Sequence, residues 1–141
     1  MREYPSIFAH RGASGYSFEN TFEAFEKAKE LGADGIEIDV QQTSDNVYFV
    51  VHDNFLVRLA GMKRFVYEST AEEIKQVRLG KRYFRIFSNK RIPLLSDVLL
   101  WANEQKMPIN LELKETILEN LPHFEQMIAK LQLPEGSHIS S

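Results

Sequence analysis

The sequence predicts an α/β fold in which parallel strands carry helices on their outer side. Short apolar runs of β character alternate with amphipathic helical patterns along the chain. Their order is strand, helix, strand, helix, strand, helix and the start of a further strand, so each helix connects neighbouring parallel strands. At 141 residues, 43% hydrophobic and 26% charged, the chain is long and apolar enough to bury a core.

The first strand and helix are predicted from a short apolar run and a helical repeat. Residues 7–9 are apolar and lead into a polar loop, which is typical of a buried strand. Apolar residues three or four apart predict a helix over residues 22–31. Asn20 and Glu23 have the spacing of a capping box at its start, and Gly32 is predicted to end it.

The middle of the chain changes character. Residues 35–40 alternate apolar and acidic side chains, and residues 47–51 are strongly β-prone. Residues 54–91 are irregular, and we interpret them as an insertion and not as a separate domain. One short helix is predicted within the insertion, because Thr70 and Glu73 have the spacing of a capping box.

The last third returns to regular alternation. Helices are predicted to begin near Ser96 and near Pro122, with an alternating strand over residues 108–114 between them. Residues 137–141 are predicted to open another strand.

Composition excludes several classes of function. Without cysteine there is no disulfide and no thiolate metal site, so any metal needs oxygen or imidazole ligands. A net charge of −3 with scattered Lys and Arg argues against a nucleic-acid partner. The N-terminal residues contain no apolar stretch typical of a signal peptide, and we expect a cytoplasmic protein without stable membrane insertion.

Three carboxylates form the first candidate site. Glu37 and Asp39 are two residues apart on a strand and therefore share one face, and Glu112 has the same setting on a later strand. Together they could hold a hard cation such as Mg²⁺ or Ca²⁺, although Glu-x-Asp alone is more typical of a solvated strand face. Lys114 could offset their charge or contact a phosphate, or it could form an ordinary salt bridge at a strand end.

Two histidines form the second candidate feature. His10 and His52 each follow an apolar strand run, and the carboxyl ends of parallel strands meet at one mouth. Two imidazoles of near-neutral pKa suit the taking and giving of protons, whereas a single His is more often structural. Arg11 offers a fork for a phosphate oxygen or is a surface charge, and Asp53 is placed to orient His52.

Five short motifs resemble the glycerophosphodiester phosphodiesterase family in order and approximate spacing. They are His-Arg-Gly-Ala at 10–13, Glu-Asn-Thr at 19–21, Gly-Ile-Glu-Ile-Asp-Val at 35–40, His-Asp at 52–53 and Leu-Glu-Leu-Lys at 111–114. The resemblance implies a TIM (β/α)8 barrel of the phospholipase C-like phosphodiesterase type. Residues 1–141 would be the N-terminal part of that domain, covering its first three β/α units and the start of a fourth strand.

The resemblance also implies an activity: metal-dependent hydrolysis of glycerophosphodiesters to sn-glycerol 3-phosphate and an alcohol, through a cyclic phosphate. Matching positions in the family act as acid and base (His10, His52), bind the divalent metal (Glu37, Asp39, Glu112) and contact phosphate (Arg11, Lys114). Glu19, Asn20 and Asp53 match supporting positions, and Asn20 is equally explained as a helix cap. The insertion at about 54–91 is a family feature thought to contact the glycerol end.

One departure and two alternatives accompany the resemblance. Residues 54–60 read Asn-Phe-Leu-Val-Arg-Leu-Ala where the family has a Thr-Leu-Asp-Arg-Thr-like stretch, so the alcohol preference could differ. A related barrel phospholipase acting on lysolipid or sphingolipid head groups could use the same groups. A catalytically silent ligand-binding fragment is the other alternative, which a contiguous aromatic patch would favour: Phe65, Tyr67, Tyr83, Phe84 and Phe87.

Three β/α units would leave the sheet open at both edges. We therefore expect the isolated chain to be poorly stable, or to self-associate through its open barrel edges.

Overall fold

The computed structural model describes residues 4–141, which form one sheet with helices on its outer side. The strands are β1 (Phe8–His10), β2 (Gly35–Gln42), β3 (Tyr48–Val50), β4 (Ile109–Leu113) and β5 (His138–Ser140). The helices are α1 (Phe22–Glu30), α2 (Val57–Ala60), α3 (Ala71–Lys75), α4 (Leu95–Gln105), α5 (Glu115–Leu118) and α6 (Leu121–Leu131). None of these helices is long and apolar enough to cross a membrane.

Four strands are parallel, in the order β1-β2-β4-β5, as the sequence predicts. The register pairs His10 with Glu37 and Asp39 with Glu112. Because alternate residues share a face, the charged side chains of β2 and β4 form neighbouring rows on the inner face of the sheet.

The outer face of the sheet is apolar and carries the main core. Ile36, Ile38 and Val40 of β2 are fully buried there, in one cluster with Phe25 of α1 and Leu99 of α4. Each such large side chain contributes about 1.5–3 kcal/mol when it leaves water. The core therefore holds β2 rigidly, and its inward carboxylates with it.

The start of α1 differs from the sequence prediction. Thr21 is the N-cap, and its hydroxyl accepts a hydrogen bond from the backbone N–H of Ala24. The predicted capping box of Asn20 and Glu23 is wrong, because Asn20 has a left-handed backbone (φ 53°) and its amide donates to Asp39. Gly32, with φ 81°, follows the end of the helix as predicted.

Strand β3 runs antiparallel to β2, a direction that the sequence analysis left open, because no helix separates the two strands. A tight turn containing Asn46 (φ 60°) reverses the chain. The backbone N–H of Val51 then donates to the carbonyl oxygen of Asp39, at 2.9 Å. The hairpin thus returns the chain to Asp39 in the middle of β2, and His52 follows immediately.

Residues 54–91 contribute most of a second apolar cluster. It contains Leu56, Leu59 and Ile74 and packs against Phe49 of β3. The Thr70 capping box at α3 is present as predicted. Helices α2 and α5, of four residues each, had no signal in the sequence because so short a helix shows no apolar period.

Candidate active site

Three carboxylates, the acidic centre, converge on β2 and β4 at the edge of the sheet where β1 and β4 end. Glu37, Asp39 and Glu112 each offer an oxygen atom, and the three atoms lie within 4.8 Å of one another. The register of the parallel strands produces this convergence, because it sets Asp39 beside Glu112. Asp39 is completely buried and Glu37 nearly so, whereas Glu112 reaches the mouth.

The protein shifts the pKa values of two of these groups in opposite directions. Burial and the neighbouring Asp39 raise the pKa of Glu37 from 4.5 to about 7. For Asp39, burial alone would raise the pKa, but hydrogen bonds from Asn20 and Lys114 outweigh it and the pKa lies below its usual range. Asp39 is therefore the fixed negative charge of the centre, and Glu37 is the carboxyl that can take up a proton.

Two cations balance part of this negative charge. The Nζ of Lys114 lies 2.6 Å from Glu112 Oε1 and 2.9 Å from Asp39 Oδ1. Arg11 Nε lies 3.2 Å from Asp39 Oδ2, and its backbone N–H donates to Glu37 Oε2 at 3.1 Å. Arg11 holds this position with a left-handed backbone, at φ 56°.

The acidic centre fits a divalent cation. Glu37 Oε1 is buried and accepts no hydrogen bond from any residue between 4 and 141, whereas Asp39 Oδ1 has the ammonium group of Lys114 at 2.9 Å. Buried carboxylate oxygens without donors are unfavourable unless a positive charge satisfies them. Three carboxylate oxygens are the ligand type that Mg²⁺ and Ca²⁺ take, and these residues can hold such an ion.

The two histidines lie in different settings. The His10 side chain is 65% exposed, and its Nε2 lies 3.7 Å from Glu37 Oε2, too far for a hydrogen bond. His52 is half-buried, and its Nδ1 lies 2.7 Å from Asp53 Oδ1. Burial would raise the pKa of Asp53, but hydrogen bonds from Arg58 and His52 outweigh it and lower that pKa. Asp53 is therefore a carboxylate that accepts from Nδ1–H, a tautomer assigned from this contact, and Nε2 of His52 is left to exchange a proton.

A second group, the Arg58 cluster, surrounds His52. It consists of Glu19, His52, Asp53 and Arg58. One ligand atom of each of Glu19, His52 and Asp53 lies within 4.8 Å of the others, as in the acidic centre. Here, however, Arg58 donates to Asp53 Oδ2 at 2.7 Å and to Glu19 Oε1 at 2.6 Å. These bonds raise the pKa of Arg58 above its ordinary value. The guanidinium already supplies the positive charge that a metal ion would bring.

Two residues of the site were missed by the sequence analysis. Arg58 pairs with a carboxylate 39 positions away, and no spacing rule reports such a contact. Gln41 continues the alternation of Glu37 and Asp39 along β2, and this period of two could have identified it. Its Nε2 donates to the carbonyl oxygen of His52 at 2.8 Å and so ties the loop to the strand.

The structure brings the predicted site residues to one edge of the sheet. Arg11, Asn20 and Lys114 contact the acidic centre, and Glu19 and Asp53 contact Arg58. A cleft of about 740 Å³ opens beside them and is lined by His52, Lys114, Gln41, Phe55, Tyr67 and Thr116. Its size suits a small organic ligand.

Parallel strands with convergent polar groups at one edge are typical of α/β folds, and in α/β barrels the active site lies at the carboxyl ends of the strands. The sequence matches the glycerophosphoryl diester phosphodiesterase family over residues 10–136. The chain belongs to that family.

Individual relatives agree with this assignment. The chain is 40% identical over 124 residues to a glycerophosphodiester phosphodiesterase of Caldanaerobacter subterraneus, covering 88% of this chain and 51% of the relative. A glycerophosphodiester phosphodiesterase structure from Agrobacterium tumefaciens superposes with a TM-score of 0.83 at 27% identity, covering 96% of this chain and 57% of that one. An Oleispira antarctica phosphodiesterase, solved with the product sn-glycerol-3-phosphate, superposes with a TM-score of 0.82 at 28% identity, covering 96% and 56%. The chain thus spans about half the length of these relatives, and its sheet is part of an α/β barrel.

Proposed function

We propose that this chain carries the catalytic groups of a glycerophosphodiester phosphodiesterase that uses Mg²⁺ or Ca²⁺. The reaction is hydrolysis of a glycerophosphodiester to sn-glycerol 3-phosphate and an alcohol. The observation that carries the proposal is the convergence of three carboxylates in the acidic centre, where the buried Glu37 Oε1 lacks a donor among residues 4–141, beside Arg11 and Lys114. The product bound to the Oleispira antarctica relative supports the same substrate class.

Glu37, Asp39 and Glu112 are the residues that would hold the cation. When bound, the ion would stabilise negative charge on the phosphoryl oxygens and lower the pKa of an attacking hydroxyl. Arg11 and Lys114 place two further positive charges at the same edge, where they can contact the phosphate.

The histidines are proposed as acid and base. Asp53 fixes the His52 ring through Nδ1 and leaves Nε2 free to accept or donate a proton. The exposed imidazole of His10 has no hydrogen bond to Glu37 that would restrict it. It can therefore be the second group that transfers a proton. Two separate imidazoles are what diester cleavage needs, because one group takes the proton of the nucleophile while another protonates the leaving alkoxide.

The test is release of glycerol 3-phosphate by the full-length protein before and after EDTA, followed by addition of Mg²⁺ or Ca²⁺. We expect turnover to stop on chelation and to return with the cation. Unchanged turnover with EDTA would contradict the cation assignment, and no turnover under any condition would favour the silent alternative. A cyclic lipid phosphate in place of glycerol 3-phosphate would favour the phospholipase alternative. Cytoplasmic location and self-association through open sheet edges remain predictions.

A further inference from the structure

Residues 75–95 differ in charge from the rest of the chain. They contain seven of its seventeen Lys and Arg residues, and no Asp or Glu lies between Glu73 and Asp97. The chain as a whole carries −3, so everything outside this segment is strongly acidic. Such asymmetry indicates that the segment contacts something negatively charged.

Within this segment, residues 81–91 form what we call the basic-aromatic loop. Five of its eleven residues are cations, and four large apolar side chains are 67–83% exposed: Tyr83, Phe84, Ile86 and Phe87. None of the four belongs to either apolar core cluster. Isolated exposed apolar residues are ordinary, but four within five positions form a patch that needs a partner.

Backbone contacts hold the loop in place. The carbonyl oxygen of Gly80 accepts a hydrogen bond from Arg85 Nε at 3.0 Å, and the carbonyl oxygen of Ile86 accepts one from Arg78 at 2.5 Å. The N–H of Leu79 donates to Lys90 at the base of the loop. The apolar side chains are therefore presented outward by an ordered backbone.

The cations of the loop are mostly available to a partner. Lys90 forms an ion pair with Glu23 at 3.3 Å. Among the residues from 4 to 141, Lys81, Arg82, Arg85 and Arg91 form no ion pair with a carboxylate, and Arg82 lies over the ring of Tyr83. Aromatic side chains flanked by unpaired cations have the composition of a segment that enters the headgroup region of an anionic bilayer.

The loop is also next to the candidate active site. A groove of about 770 Å³ is lined on one side by Phe84, Phe87 and Lys90, and on the other by Glu19 and Arg58 of the Arg58 cluster. A partner that binds the loop therefore lies beside the mouth of the sheet.

Charge favours a bilayer over the other occupants. Two copies of the loop carry the same sign and repel each other. A long nucleic acid would also meet the acidic remainder of the chain, whereas a planar membrane need touch only the loop. We propose that the basic-aromatic loop binds the surface of membranes that contain anionic lipids and holds the site mouth at that surface.

Vesicle binding by the full-length protein tests this proposal without substrate, so the result does not depend on phosphodiesterase activity. Sedimentation with phosphatidylcholine vesicles is compared with sedimentation after phosphatidylglycerol has been added to them. We expect binding only to the anionic vesicles, weakening as salt is raised. Replacing Phe84 and Phe87 by Ser should weaken binding at least tenfold, because the apolar rings no longer enter the headgroup region. Replacing Lys81 and Arg82 by Gln should weaken it at least tenfold, because two cations that anionic lipids attract are lost.

Matched controls separate the loop from general effects of apolarity and charge. Leu31→Ser and Leu100→Ser remove side chains that are 54% and 61% exposed outside the loop, and Lys106→Gln with Lys130→Gln removes two exposed cations elsewhere. These variants should bind as the wild type does. Absence of binding, or binding that survives in both loop variants, would overturn the proposal. So would a dimer that only the Phe84 and Phe87 variant loses, or binding to a single-stranded oligonucleotide in place of vesicles.

Discussion

The acidic centre and the Arg58 cluster both bring potential metal-binding side chains together, but they differ in the hydrogen bonds that their carboxylates accept. In each, ligand atoms of three potential metal-binding residues lie within 4.8 Å of one another. In the acidic centre the carboxylates lie on buried strands, and the buried Glu37 Oε1 accepts no hydrogen bond from the described residues. In the Arg58 cluster both carboxylates already accept hydrogen bonds from one guanidinium. Unsatisfied oxygens, more than closeness of carboxylates, thus distinguish a cation site from a salt-bridge network.

The acidic centre and the Arg58 cluster also have different roles in the site. The acidic centre supplies charge for a cation and lies on the rigid strands β2 and β4. The Arg58 cluster lies on loops and on the short helix α2, and it holds the ring of His52 through Asp53. Substitutions in the first should therefore affect cation affinity, and substitutions in the second should affect proton transfer.

The largest effect is expected from Asp39→Asn. This change removes the buried charge that faces Arg11, Lys114 and Asn20, and removing one partner of a buried ion pair costs about 3 kcal/mol of unfolding free energy. Cation affinity should fall by roughly a hundredfold or more. Denaturant unfolding and calorimetric cation titration measure the two effects, with exposed Asp97→Asn as the control. Wild-type values for both would show that Asp39 is not central to the site.

The histidines should affect rate and leave cation binding unchanged. His52→Ala and His10→Ala should each lower kcat by roughly a hundredfold, the scale for loss of a positioned proton-transfer group. A substrate with a p-nitrophenol leaving group needs little protonation, so the variant whose rate it restores identifies the general acid. A variant that keeps near-normal kcat on a poor leaving group would show that its histidine is only structural.

Cation affinity should depend on pH through Glu37. Without a cation its pKa is raised from 4.5 to about 7, so its contribution to stability is fully present below pH 4.5 and is lost as pH rises through 7. A cation binds the carboxylate form, and its apparent affinity should therefore rise about fivefold from pH 6 to pH 7, reach about tenfold by pH 8 and level off above that. Glu37→Gln should remove this dependence. Equal affinity for the wild type at pH 6 and pH 8 would contradict it.

The smallest effect is expected from Arg58→Met. Arg58 is half-exposed, and an exposed ion pair contributes at most about 1 kcal/mol, so kcat should fall about fivefold as Asp53 loses one of its two partners. Calorimetry should show unchanged cation affinity. A large loss of cation affinity in this variant would mean that the two groups act as one.

The outer face of the sheet was predictable because its signal is local. Ile36, Ile38 and Val40 alternate with Glu37 and Asp39, and a period of two fixes which residues face the core. The same alternation of apolar and polar residues predicted that Glu112 of β4 faces the same side of the sheet as Glu37 and Asp39. Predictions from these local patterns were therefore confirmed for β2 and β4.

Features that depend on distant contacts were not predictable. The sequence predicts Asn20 as a helix cap, but its side-chain amide donates a hydrogen bond to Asp39, 19 residues away. Thr21 is the N-cap residue instead. The antiparallel direction of β3 depends on a tight turn, and its β-prone residues are the same whichever way the strand runs. Arg58 joins Glu19 and Asp53 only once the loop has folded.

Cation titration of two matched charge-neutralised variants decides whether the acidic centre is the cation site. Glu112→Gln removes a carboxylate from the acidic centre, and Glu19→Gln removes one from the Arg58 cluster, with the same change in charge. We expect one divalent cation per chain in the wild type, an affinity reduced by roughly a hundredfold in Glu112→Gln, and wild-type affinity in Glu19→Gln. Loss of binding in Glu19→Gln with retention in Glu112→Gln would place the cation in the Arg58 cluster and not in the acidic centre.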